Sequence, residues 1–199
     1  MAKLYFSYSA MNAGKSTLLL QASYNYVERG MRTLLFTSSL YAEGDVGRIT
    51  SRLGISADAE MFDGEDDLFQ RVNDHIQESK VDCVFVDEAQ FLTADQVWQL
   101  ARVADRLDVP VMCYGLRTDF QGKLFPGSSE LLAVADELRE VRTICFCGRK
   151  ATMVVRRDTD GGALTQGNQV SIEKSVYVSL CRRHWEEEIG RWPPKGPRP

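Results

Sequence analysis

An α/β fold on a parallel sheet, with a small cysteine-rich lobe after it, is the architecture this sequence predicts. Three observations predict it. Short apolar runs rich in β-branched and aromatic residues alternate with helical patterns up to about Thr143. A glycine–lysine turn joins the first of those runs to the first helix. Beyond Thr143 the alternation stops and a Cys/Gly/Thr-rich segment replaces it.

Taken in order, Leu4–Tyr8 reads as a strand, followed by the turn and a helix from about Ser16 to Arg29 that stops at Gly30. Thr33–Thr37 is the next strand. Residues 39–66 mix Ser, Gly, Asp and Glu with few apolar anchors and are expected to form a long, mobile loop. Val81–Val86 and Val109–Tyr114 are two more strands bracketed by helices. Thr93 with Gln96 makes a capping box for a helix running to about Leu107. Strands separated by helices in this way form crossover units of a parallel sheet.

Composition bounds the rest. With 199 residues, 44% of them hydrophobic, the chain can bury a real core. A net charge of −4 disfavours a protein that works by neutralising nucleic-acid phosphates, so no nucleic-acid partner is expected. No run of 18 apolar residues occurs, and the opening MAKLYFSYSAMN does not resemble an export signal, so no membrane role is expected. Cys83, Cys113, Cys145, Cys147 and Cys181 then read as reduced thiols of a cytoplasmic protein. Cys83 and Cys113 are expected in the core, and His75 on a helix surface without a role.

Ser9-Ala10-Met11-Asn12-Ala13-Gly14-Lys15-Ser16 lies between strand and helix, the context of a phosphate-binding P-loop. Its backbone N–H groups and the helix N-terminus can wrap polyphosphate oxygens. Lys15 supplies a charge to the β- and γ-phosphates, and the Ser16 hydroxyl a ligand to Mg²⁺. Ser9 stands where the motif has its first glycine, which requires ordinary backbone angles there. Val81-Asp82-Cys83-Val84-Phe85-Val86-Asp87-Glu88 ends a buried strand in two carboxylates, at the sheet edge where ligands bind. Asp87 fits a Walker B aspartate holding magnesium. Strand alternation turns Glu88 away from Asp87 and leaves it to accept a proton from an attacking hydroxyl. Water as the attacking group makes an ATPase; a sugar hydroxyl makes a kinase. The segment Asp87-Glu88-Ala89-Gln90 also fits a helicase box, so this pair alone decides neither.

Cys145-Phe146-Cys147 and Cys181-Arg182-Arg183-His184 are separated by 33 residues and offer four ligands, a closed tetrahedral set for a structural Zn²⁺. Arg149, Lys150, Arg182 and Arg183 offset the excess thiolate charge.

The blocks SAMNAGKST, VDEAQFL, YGLRTDFQGKLF, TICFCGRKA and YVSLCRRH, in that order, resemble the type II (cytosolic) thymidine kinases. The resemblance implies a P-loop (RecA-like) kinase domain over 1–143, a zinc-binding lobe over 144–190 with a lasso loop covering the nucleoside, and a disordered tail over 191–199. It implies transfer of the ATP γ-phosphoryl group to the 5′-hydroxyl of thymidine or deoxyuridine, with Glu88 as catalytic base. Ser9–Thr17 and Asp87, Glu88, Ala89 and Gln90 form the implied ATP set, with Ser16 and Asp87 on magnesium. Met11, Phe91, Leu116, Phe120, Phe125 and Tyr177 match positions lining the nucleoside pocket. A homotetramer inhibited by thymidine triphosphate (dTTP) is also implied. Two stretches depart from the family pattern: Leu40-Tyr41-Ala42-Glu43-Gly44 lacks the usual Asp-x-Arg, leaving Arg48 or Arg52 to face phosphate, and Glu173-Lys174 replaces a Gly-Gly. A helicase-type ATPase needs a second such domain and a basic groove. A nucleotide-sensing zinc module is the non-enzymatic alternative.

Overall fold

The structure is a computed structural model and describes residues 1–41, 47–169 and 176–191. It divides into two compact units. The first comprises Met1–Tyr8, Gly14–Arg117 and Phe125–Val141; the second comprises Ser9–Ala13, Thr118–Leu124 and the chain from Arg142 onward.

The first unit runs β1 (Leu4–Ser9), α1 (Lys15–Val27), β2 (Thr33–Ser38), β3 (Arg48–Thr50), β4 (Ser56–Asp58), β5 (Glu60–Phe62), α2 (Leu68–Glu78), β6 (Cys83–Val86), α3 (Ala94–Leu107), β7 (Val111–Leu116), α4 (Pro126–Val134) and β8 (Glu137–Glu140). Six strands form one sheet in the order β5-β2-β6-β7-β1-β8. The pairs β2–β5, β2–β6, β6–β7 and β1–β8 are parallel.

Alternation along the strands feeds two cores. Phe6, Phe36, Val84 and Val86 meet Leu68 and Val72 of α2, Val97, Leu100 and Val103 of α3, and Leu131 of α4. Leu35, Cys83, Phe85 and Tyr114 meet Leu19 and Leu20 of α1 and Ile49 of β3. Helices therefore cover both faces, as an apolar parallel sheet requires. Each fully buried Phe or Leu contributes about 1.5–3 kcal/mol. Cys83 and Cys113 are core residues, as their strands predict. The Thr93–Gln96 capping box is formed, and α3 ends at Leu107.

Two regions differ from the sequence reading. Residues 39–66 are not loop throughout: β3 and β4 pair antiparallel, and β5 takes the sheet edge. These strands are three residues long, too short for an apolar alternation to register in the sequence, although Ile49 and Phe62 are buried in the cores. Strand β8, Glu-Leu-Arg-Glu, escapes detection for a similar reason, since an edge strand beside β1 need not be apolar.

The second unit contains β9 (Thr143–Ile144) paired with β10 (Lys150–Ala151), then a sheet of β11 (Met153–Arg157), β12 (Ala163–Leu164) and β13 (Val176–Leu180), then α5 (Arg182–Glu188). Its core is Cys145, Ala151, Val155, Leu180, Cys181 and Trp185. The Trp185 indole N–H donates to the carbonyls of Phe120 (3.1 Å) and Val154 (3.0 Å), which anchors 118–124 in this unit.

Candidate active site and metal centre

The turn between β1 and α1 takes left-handed backbone at Asn12 (φ 61°) and Gly14 (φ 83°). A Cβ on Gly14 would meet nothing within 4 Å, so conformation, not space, selects glycine there. Ser9 keeps an ordinary φ and donates its hydroxyl to the Ala10 carbonyl at 2.7 Å, which explains why serine serves where the motif has glycine.

In the first unit, Lys15, Ser16, Asp87 and Glu88 come together as the motifs predict. Lys15 is buried: desolvation pulls its ammonium pKa down, while Glu88 and Asp87 push back up. Burial, then the neighbouring Glu88 charge, pushes the Asp87 carboxyl up to about 6, against a hydrogen bond from the Ser16 hydroxyl. Two carboxylates facing one ammonium leave the pocket short of positive charge. A divalent cation at Ser16 and Asp87 fits that shortfall.

Strand alternation does not separate the two carboxylates. Strand β6 ends at Val86, and Glu88 turns the chain with a left-handed backbone (φ 53°, ψ 34°) into a single 3-10 turn over Ala89–Phe91. The Glu88 N–H donates to Asp87 Oδ1 at 3.0 Å. Gln90, only 1% exposed, donates from Nε2 to Glu88 Oε2, and its Oε1 accepts the Leu116 N–H at 2.9 Å. Helix α4 closes on this turn through Gly127, where a Cβ would lie 2.6 Å from the Ala89 carbonyl oxygen. Ser128 adds a hydrogen bond from its hydroxyl to the Leu116 carbonyl. Phe91 and Phe125 meet edge to face at 5.8 Å. Of the expected nucleoside residues, Phe91, Leu116 and Phe125 thus belong to the first unit.

Met11, Phe120 and Tyr177 belong to the second. The Met11 carbonyl accepts the Ser179 hydroxyl at 2.6 Å. The buried Phe120 ring lies under the Arg156 guanidinium, 5.5 Å from its centroid, and Arg156 pairs in register with Tyr177. Arg156 is 6% exposed, and the sequence reading overlooked it. A lone arginine in a polar lobe gives no signal of burial.

Cys145, Cys147, Cys181 and His184 present ligand atoms that all lie within 4.8 Å of one another. Tetrahedral zinc requires S···S near 3.8 Å and S···N near 3.5 Å, given Zn–S of about 2.3 Å and Zn–N of about 2.0 Å. Cys147 Sγ lies 3.9 Å from Cys181 Sγ, and His184 Nδ1 lies 3.3 Å from Cys145 Sγ and 3.5 Å from Cys181 Sγ. Burial raises the Cys145 thiol, but N–H groups of Cys147 and Cys181 and the His184 ring outweigh it and bring it down to about 6; Cys181 is driven up, by burial first. Three thiols this close ionise together only around a cation. The set therefore fits zinc. The Phe146 ring stacks on His184 at 4.3 Å and fixes the imidazole plane.

Arg48 faces Asp58 at 3.5 Å, and Arg52 is exposed between β3 and β4. His75 is no bare surface residue: its Nε2 meets Glu60 and its Nδ1 lies 3.4 Å from Arg32, which ties α2 to the sheet edge. Ala42–Gly44, Glu173-Lys174 and 192–199 lie outside the described residues.

A family model described as "Thymidine kinase" matches residues 2–185. The chain belongs to the thymidine kinase family. It is 69% identical to the thymidine kinase of Mesorhizobium japonicum, covering 98% of this chain and 96% of that protein. The Ruegeria pomeroyi thymidine kinase is 64% identical, with 96% of each chain covered. The Haemophilus influenzae thymidine kinase is 55% identical, with 96% of this chain and 100% of that one covered. Among solved structures, an ATPase domain superposes with a TM-score of 0.51 at 12% identity, over 92% of this chain and 83% of that chain. That likeness concerns the fold: a parallel sheet with flanking helices of the P-loop ATPase type. Membership of the thymidine kinase family makes the chain an ATP-dependent kinase. No helix among the described residues is long and apolar enough to cross a membrane.

Proposed function

We propose that the chain transfers the γ-phosphoryl group of ATP to the 5′-hydroxyl of thymidine, or of deoxyuridine, with Glu88 as general base. The observation that carries this reading is the grouping of buried Lys15 and Asp87 with the half-buried Glu88 in a chain of this family. The backbone of Ser9–Ser16, with Thr17 behind it, cradles the triphosphate, and Lys15 offsets its charge. Magnesium held by Ser16 and Asp87 would neutralise charge on the β- and γ-oxygens. Glu88 takes the proton of the 5′-hydroxyl as its oxygen bonds to the γ-phosphorus; the bond to the β-phosphate oxygen breaks, and ADP leaves. Ala89 and Gln90 lie directly behind the two carboxylates, with the Gln90 amide engaged by Glu88 and the Leu116 N–H rather than by the nucleotide.

For the pyrimidine, Phe91, Leu116 and Phe125 offer apolar walls in the first unit, and Met11, Phe120 and Tyr177 are assigned to the base in the second. Stacking contributes about 1–3 kcal/mol per base. Zinc on Cys145, Cys147, Cys181 and His184 has a structural role. A cytoplasmic homotetramer inhibited by dTTP, with Arg48 or Arg52 facing phosphate, completes the proposal.

Labelled ATP and Mg²⁺, with thymidine or an oligonucleotide, test it. Label is expected in thymidine monophosphate; release as free phosphate on addition of the oligonucleotide would instead favour the helicase-type ATPase. Glu88→Gln is expected to lose roughly 10²–10⁴-fold in turnover with ATP affinity kept.

A further inference from the structure

We propose that Gln90 is a positioning residue for the Glu88 carboxylate, its buried amide transmitting the position of the β7 backbone to the base. The proposal rests on the reading of Glu88 as base. The amide has no freedom of sense. Its Oε1 accepts the Leu116 N–H at 2.9 Å, so the NH₂ group must face Glu88 Oε2; a flip would set oxygen against carboxylate and NH₂ against N–H. At 1% exposure the amide is shut off from solvent that could replace either partner.

Glu88 needs such a hold. Its left-handed backbone is an unfavourable conformation for a residue with a side chain, and persists only where the surroundings over-determine it. The surroundings do so from two sides. Gly115 admits Gln90, since a Cβ there would lie 2.9 Å from both the Gln90 nitrogen and its Oε1. Gly127 and Ser128 bring the start of α4 onto the same turn. One carboxylate oxygen held by Nε2 fixes the plane of the group, and with it the direction of the second oxygen. The charged neighbours Lys15 and Asp87 act on Glu88 as well, but point charges do not set a plane. A misplacement of about 1 Å costs an enzyme on the order of 10²-fold, so the hold matters for rate.

The test is steady-state kinetics on the full chain for Gln90→Met, Gln90→Glu, Glu88→Gln and the Glu88→Gln/Gln90→Met double variant. Gln90→Glu keeps the acceptor for Leu116 and removes the donor to Glu88, so it remains informative if Gln90→Met fails to fold. In both Gln90 variants kcat is expected to fall about 10–100-fold, with KM for thymidine and ATP within about threefold of the parent. The double variant should be no slower than Glu88→Gln. A raised KM at unchanged kcat would make Gln90 a substrate contact and overturn the proposal. So would a double variant slower than Glu88→Gln by the full factor of Gln90→Met. Parent-like turnover in Glu88→Gln is a different failure: it overturns the base assignment, and the positioning role with it.

Discussion

The two units solve the same problem by different means. The first buries Phe6, Phe36, Phe62 and Phe85 with Leu and Val from both faces of a six-stranded sheet. Among the described residues, the second has one small buried cluster of six, two of them cysteines, and strands of two to five residues. A large apolar core sustains the former; in the latter, four ligand atoms are arranged so that a bound metal would add a cross-link. The contrast extends to charge. The first unit holds Lys15 and Asp87 in its interior, beside its apolar cores.

The largest expected effect follows from breaking the cross-link. Cys181→Ser, or prolonged chelation, should remove a contribution on the order of 10 kcal/mol and disorder β9–β13 and α5 while the first unit keeps its protection, read by hydrogen exchange. Equal loss of protection in both units would break the comparison. Lys15→Ala sharpens it from the other side. Turnover should fall at least about 10²–10³-fold while the melting temperature holds or rises, because a buried ammonium is removed. Smallest is Asp87→Asn. The folded Asp87 carboxyl titrates near 6, above its unfolded value of 3.8, so its ionised form costs stability at neutral pH. The variant should stabilise the ligand-free protein by roughly 1–3 kcal/mol above pH 6. That gain should shrink as pH falls from 6 towards 3.8, where the parent carboxyl is protonated in both states. Thermal unfolding at pH 8 and pH 4 checks it.

Legibility in the sequence tracks the same divide. Strands with two apolar faces, such as Val84–Val86, declare themselves by composition. Ser56–Asp58 and Glu137–Glu140 do not, since what makes them strands is a pairing partner, the nearby Arg48–Thr50 for the first and the distant β1 for the second. The quartet of Lys15, Ser16, Asp87 and Glu88 was readable because each sits at a fixed offset from a strand end. Arg156 and the amide of Gln90 were not, because their partners Phe120, Tyr177 and Leu116 lie 21 or more residues away.

By itself the sequence determined the alternation of strand and helix, the phosphate-binding turn, the two adjacent carboxylates and the four metal-ligand positions. All are local patterns, set by covalent spacing and side-chain chemistry. Only the tertiary structure decided that Glu88 leaves its strand by a left-handed turn, that Gln90 spans from β7 to that carboxylate, and that 9–13 and 118–124 pack with the cysteine-rich unit. These depend on which distant backbone atoms become neighbours, and spacing along a chain does not encode that.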